Sequence, residues 1–176
     1  KRIPLPATRL HDLTCFVVHR LLPLPTSPAE SGSIVSDCIR CAIILYMLIL
    51  QGPTYYTHAS LLHKITSRLR LNLSDCAISA PLSLWLVAIG LVASHGTSYY
   101  ALFQAKVRSL STSLGLETWE VSSVHIKRKL WLDAPHIESI FQSHWDIALG
   151  HHCELVTFNS AQIAPYNSTN SGFVGP

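Results

Sequence analysis

The sequence predicts an all-α fold, a single array of about seven packed helices. In seven stretches the apolar side chains recur every three or four residues, which is the spacing of one helix face. No stretch alternates between apolar and polar residues as a strand would. Apolar residues make up 48% of the 176-residue chain, which is enough to bury a sizeable core. We expect helices at about 8–21, 34–50, 58–71, 81–94, 98–114, 118–131 and 135–150.

The first three helices are bounded by proline and glycine. The first carries an apolar stripe at helical spacing: Leu10, Leu13, Thr14, Val17 and Leu21. Prolines from Pro23 onward end it, and a Pro/Ser/Gly linker follows. The second helix begins near Ile34 and is stopped by Gly52-Pro53. The third carries a shorter stripe: Leu61, Leu62, Ile65 and Leu69.

The last four helices have clearer end signals. Pro81 suits the first turn of the fourth helix, and Gly115 suits the C-terminal cap of the fifth. Thr118 suits the N-terminal cap of the sixth. The stripe of the fifth helix is Tyr99, Phe103, Val107, Leu110 and Leu114. The stripe of the seventh is Ile137, Ile140, Phe141, His144, Trp145 and Ala148.

Composition divides the chain into a helical domain, residues 1–152, and a tail, residues 153–176. The tail is rich in Asn, Ser, Thr, Gly and Pro without periodicity, which predicts disorder. The chain opens with Lys1 instead of Met, so we expect it to be a piece of a longer protein. Because Pro4 and Pro6 interrupt the N-terminus, no signal peptide is recognisable.

Two apolar runs raise the question of a membrane. Cys41–Leu50 and Leu84–Ala93 each contain ten residues without a charge. Ten helical residues rise about 15 Å, half of the roughly 30 Å of hydrocarbon that a spanning helix crosses. Both runs are therefore predicted to be core helices, and a small helical membrane protein is the less favoured alternative.

Charge and cysteine usage narrow the class of protein. The net charge is only +3, without a long charged block, and this gives no case for a nucleic-acid or membrane-surface partner. Five cysteines form an odd set without a regular framework, which favours a reducing compartment such as the cytosol or nucleus.

The order of elements between residues 84 and 133 carries a family resemblance. An apolar helix reading LWLVAIGLVAS is followed by a helix that closes in Leu-Gly-Leu. Trp119-Glu120 comes next, and Leu130-Trp131-Leu-Asp133 follows later. Twelve positions separate Trp119 from Trp131. This order resembles the C-terminal helical regulatory region of fungal transcription factors of the zinc binuclear cluster (six-cysteine) type. Residues 14–25 and 37–50 resemble the same family, whereas Val121 and Lys129 depart from its pattern.

The resemblance implies a regulatory and interaction domain that acts in the nucleus on genes transcribed by RNA polymerase II. DNA would be bound only by a module absent from this chain, and the family's zinc cluster would also lie outside it. The implied partners are proteins, or a small effector in a helix–helix groove, and no membrane. The alternative is an all-helical metabolic enzyme with an unrecognised active site.

No catalytic, cofactor-binding or metal-binding residues are predicted within the chain. Cys38 and Cys41 supply two thiols where zinc needs four ligands, so we interpret them as core residues. His151-His152-Cys153-Glu154 has the residue types of a weak metal site, but its place at a helix end before the tail favours a solvated motif. Lys127-Arg128-Lys129 would fan around a helix at about 100° per residue, which favours a solvated surface over a phosphate grip. His19, His63 and His144 are interpreted as hydrogen-bonded residues at the edge of the core.

Trp119 and Trp131 give the most specific packing prediction. Twelve positions on one straight helix place them about 120° out of phase, so we expect them not to share a contact surface. Trp131 should pack inward together with Leu130, against Ile137 and Phe141. Trp119 should hold the turn after Leu116 against the end of the fifth helix.

Overall fold

The computed structural model describes residues 7–22, 31–52, 59–75 and 78–151. Every regular element in these ranges is a helix, and no strand occurs in them, so the all-α prediction is confirmed for the described residues. The helices are α1 (Ala7–Leu21), α2 (Ser31–Gln51), α3 (Ala59–Asp75), α4 (Ala80–Ala93), α5 (Tyr100–Leu114), α6 (Trp119–Ile126) and α7 (Pro135–Leu149). The predicted tail, residues 153–176, lies outside the described residues.

Helix α4 forms the centre of the array. It contacts α2, α3, α5, α6 and α7. Residues 84–91 are all buried, which is possible because almost every side chain in this stretch is apolar. The prediction that Leu84–Ala93 is a core helix is confirmed.

Helix α2 lies beside α4 and also contacts α1 and α3. Residues Cys41–Leu50 are buried or half-buried in this packing, as predicted. Among the described helices, Ile34–Gln51 is long and apolar enough to cross a membrane by length and composition, and 56% of it is buried within the protein. A core helix of a soluble protein meets the same criterion.

The approach of α4 to α5 depends on Gly90. A Cβ atom at this position would lie 2.1 Å from Cε1 of Phe103, whose ring is fully buried. Only a residue without a side chain allows the ring to rest directly on the α4 backbone. This contact holds α5 against α4.

The helix ends follow the sequence signals closely. Gly115 ends α5 with φ +66°, a left-handed conformation that favours glycine, as predicted. Pro81 lies in the first turn of α4, also as predicted. Thr118 occupies the N-cap position of α6, but its side chain makes no capping hydrogen bond to the helix backbone.

The predicted end of the sixth helix is wrong, because α6 ends at Ile126 instead of near residue 131. Residues 127–134, here called the connecting segment, lead into α7. Lys127 forms an ion pair with Glu138, and Arg128 and Lys129 are exposed. The prediction that these three cations fan around a helix is therefore wrong, because they lie in a turn. Ala134 precedes Pro135 and is extended (φ −132°, ψ 116°), which prevents a helix from running continuously into α7.

The predicted apolar stripes are fully buried in α7 but only partly buried in α1 and α5. All six predicted core positions of α7 are buried. In α1, Thr14 is buried, whereas Leu13 and the neighbouring Phe16 are exposed. Leu114 at the end of the α5 stripe is exposed as well. The buried face of α1 is therefore narrower than its pattern predicted.

Candidate functional site: an aromatic cluster under residues 119–132

Five aromatic rings from distant parts of the sequence meet on one side of the core. We call them the aromatic cluster: Tyr46 of α2, Trp119 of α6, Trp131 of the connecting segment, and Phe141 and Trp145 of α7. The ring centroids of Trp131 and Phe141 are 4.9 Å apart in an edge-to-face arrangement. Those of Trp119 and Trp145 are 6.0 Å apart, also edge to face. These are the separations that aromatic pairs prefer.

The packing prediction for the two tryptophans is partly wrong. Trp119 and Trp131 do share a contact surface, with ring centroids 6.4 Å apart. The helical phase argument fails because α6 ends between them, so they do not lie on one helix. Trp131 packs inward against Phe141 as predicted, but Leu130 is 49% exposed. Trp119 packs on Trp145 of α7, a contact that the sequence did not suggest.

Two side chains from the core bind the backbone of the connecting segment. The indole Nε1 of Trp85 in α4 donates to the carbonyl oxygen of Leu130 over 3.0 Å. The hydroxyl oxygen of Tyr46 accepts from the amide of Leu132 over 2.8 Å. Burial raises the pKa of Tyr46 to about 12, so the phenol is neutral at physiological pH. These bonds replace the intrahelical bonds that a longer α6 would have made.

Three indole N–H groups of the aromatic cluster are buried without a hydrogen-bond partner. They belong to Trp119, Trp131 and Trp145. A buried donor that loses its water partner costs about 1–3 kcal/mol. Fully burying an indole returns more, because its 150–250 Å² at about 25 cal/mol per Å² gives about 4–6 kcal/mol. Packing therefore outweighs the unsatisfied donors here.

The same stretch also carries four exposed aliphatic side chains. Val121 and Val124 lie one turn apart on α6 and are 49% and 53% exposed. Leu130 and Leu132 alternate with Trp131 and are also exposed. We call these four side chains the outer apolar set. Residues 119–132 therefore present aromatic rings to the core, and the solvent side carries the outer apolar set together with Glu120, Arg128 and Lys129.

A second polar arrangement joins α2 to α3. Arg40 of α2 pairs with Asp37, whose carboxylate also accepts from Arg68 Nε and Asn72 Nδ2 of α3, each over 2.6 Å. Burial by itself would raise the pKa of Asp37, but the hydrogen bonds from Arg68, Arg40 and Asn72 lower it below its ordinary value. Asp37 is therefore charged and paired. We call these four residues the Asp37 network.

A third arrangement lies where the α4–α5 turn meets α7. His144 is buried, and its Nδ1 lies 2.8 Å from the Tyr100 hydroxyl. The His95 ring from the turn lies with its centroid 4.8 Å from that of His144. Burial, followed by the neighbouring His95, lowers the pKa of His144 to about 4. The imidazole is therefore neutral near pH 7.

The two cysteines of α2 and the histidines named from the sequence differ in burial. Cys38 and Cys41 are buried in the core as interpreted, and burial, with Asp37 nearby, raises the pKa of Cys41 to about 11. His144 is the core-edge histidine predicted, but His19 and His63 are exposed. His151 is exposed beside Asp146. His152, Cys153 and Glu154 lie outside the described residues.

Sequence reasoning missed the Asp37 network and the His95–Tyr100–His144 group. The first had a local signal, because Arg68 and Asn72 stand four residues apart on one face of α3. The second had none, since His144 lies 44 positions beyond Tyr100. No protein family, curated protein or solved structure matches this chain.

Proposed function

We propose that this chain is a regulatory and protein-interaction domain of a fungal transcription factor of the zinc binuclear cluster type. The observation that carries the proposal is the two-sided construction of residues 119–132. The aromatic cluster anchors this stretch to α2 and α7, and the outer apolar set faces solvent. The same stretch holds the Trp119 and Trp131 pattern on which the family resemblance rests.

An exposed apolar surface on an anchored backbone suits the docking of a protein partner. Each aliphatic side chain that a partner buries contributes up to about 1.5–3 kcal/mol. Because the backbone is already held by Trp85 and Tyr46, ordering it costs little on binding. In this proposal the partner belongs to the nuclear machinery that controls RNA polymerase II genes, and DNA is bound by a module outside this chain.

A transcription reporter tests the interaction. The whole chain is fused to an unrelated DNA-binding domain in yeast, and transcription from a reporter with the matching sites is measured. We expect the fusion to raise or lower transcription at least several-fold, and the Val121→Asp/Val124→Asp double variant to lose that effect. Leu71→Asp/Leu102→Asp, which adds two charges at exposed leucines of α3 and α5, is the matched control and should retain it.

Two outcomes contradict the proposal. One is a fusion that leaves transcription at the level of the DNA-binding domain alone. The other is a double variant that folds like the parent by circular dichroism and retains full activity. The reading frame upstream of residue 1 offers an independent check, because the proposal requires a basic six-cysteine motif there.

A further inference from the structure

The His95–Tyr100–His144 group brings two histidine rings close together. His95 is exposed on the turn between α4 and α5, and His144 is buried in α7. Their ring centroids are 4.8 Å apart, and the ring planes are inclined at 59°. An imidazole bound to zinc places its centroid about 3.2 Å from the metal, so two rings at a tetrahedral angle have centroids about 5 Å apart. The observed separation is close to that distance.

Tyr100 hydrogen-bonds to His144 and orients its ring. Its Nδ1 is occupied by the Tyr100 hydroxyl, so Nε2 is the nitrogen left for a metal. A histidine that binds a metal almost always donates its other N–H to an oxygen, and this bond fixes the tautomer and the ring orientation. In the tautomer that carries its proton on Nδ1, His144 donates to the Tyr100 oxygen, and Gln104 hydrogen-bonds to Tyr100 in turn. The hydrogen bonds from Gln104 to Tyr100 and between Tyr100 and His144 thus orient the His144 ring before an ion binds.

We propose that His95 and His144 bind a divalent transition-metal ion, for which Zn²⁺ is the probe, with Tyr100 as the positioning residue. No third histidine, cysteine or carboxylate joins them in the described part of the chain, so water completes the coordination.

Binding at this site would link two parts of the fold that are otherwise joined by packing. His95 belongs to the turn after α4, whereas His144 is part of α7. An ion held by both favours the arrangement in which the turn is closed onto α7. The inference is independent of the proposed regulatory function, since it rests only on these three side chains.

Zinc titration of the metal-free full chain at pH 7 tests the site. We expect calorimetry to show one more equivalent of bound Zn²⁺ in the parent than in His95→Ala, and the melting temperature of the parent to rise with Zn²⁺. His136→Ala, which removes an exposed histidine from the start of α7, is the matched control and should keep that equivalent. Tyr100→Phe should bind roughly 10–100-fold more weakly, the usual cost of losing such a partner.

The outcomes separate this site from binding by other histidines. Because His95 is exposed, His95→Ala is expected to fold normally, and a circular dichroism spectrum checks this. If the parent binds no zinc, the proposal is wrong. It is also wrong if His95→Ala binds as many equivalents with the same affinity, because the ions then sit elsewhere, for example at His151-His152. With Cu²⁺ as a second probe, nitrogen couplings from two imidazoles in the electron paramagnetic resonance spectrum should appear in the parent and fall to one in His95→Ala.

Discussion

The Asp37 network and the aromatic cluster both bury polar atoms, but they treat them in opposite ways. In the Asp37 network the buried carboxylate is paired with two guanidinium groups and an amide. In the aromatic cluster three indole N–H groups remain without a partner. The first region fixes how α2 lies against α3, because its bonds have direction. The second is held by contact area, which tolerates unsatisfied donors so long as the rings stay packed.

Removing a ring should therefore have the largest effect. Trp145→Ala removes a 1% exposed side chain that contacts Trp119, and we expect a loss of about 3–5 kcal/mol in the free energy of unfolding. Denaturant titration followed by circular dichroism measures this loss. A loss below about 1 kcal/mol would show that packing does not hold this region.

Removing a charge should cost somewhat less. Asp37→Asn keeps the shape of the side chain but leaves Arg40 and Arg68 without the carboxylate. We expect a loss of about 2–3 kcal/mol, below the range for fully buried pairs, because Arg68 is partly exposed. If Asp37→Asn is as stable as the parent at pH 7, the network does not contribute through charge.

The same variant gives a pH test. The pKa of Asp37 is lower in the folded chain than in the unfolded chain, where it is about 3.9. Its contribution to stability is therefore complete above that value and is lost as the pH falls through the lower folded-state pKa. The difference in free energy of unfolding between parent and Asp37→Asn should be constant from pH 7 to about 5 and shrink below about 4. A difference that does not change with pH in the acid range contradicts the assignment.

Crowding a packed contact should have an intermediate effect, away from both regions. Gly90→Ala places a Cβ atom against the Phe103 ring, and we expect a loss of about 1–3 kcal/mol from the forced displacement. Adding Phe103→Leu should recover part of that loss, because the smaller side chain makes room. If the double variant is as unstable as the sum of the two single variants, the clash is not the cause.

The smallest effect is expected where a ring is kept and only its N–H is removed. Trp119→Phe removes an unsatisfied N–H and keeps an aromatic ring, so we expect a change of less than about 1 kcal/mol. Trp85→Phe is the matched control, because it removes an indole N–H that does bind the Leu130 carbonyl, and it should cost more. Equal losses for the two variants would mean that the hydrogen bond of Trp85 contributes nothing.

Local pattern was enough to predict the helices but not the end of α6. The stripe of α7 predicted its buried face correctly because spacing along one helix determines which side chains point the same way. The end of α6 depends on Trp85 and Tyr46, which bind the connecting segment from 45 and 86 positions away. The sequence around α6 gives no indication of these two distant partners. The contact between His95 and His144 could not be predicted for the same reason. The exposure of Phe16 has a different cause, because α1 has α2 as its main neighbour.

The large sequence separation between Trp85 or Tyr46 and the connecting segment also affects the order of folding. Each bond closes a loop of tens of residues, and the entropy of that closure must be met before the bond forms. The connecting segment should therefore become ordered late, after α2, α4 and α7 have assembled. Substitutions at Leu130 or Leu132 that weaken the segment should accelerate unfolding and leave the folding rate nearly unchanged, with φ-values near zero. Stopped-flow measurements of the folding and unfolding rates of these variants and of the parent would test this order.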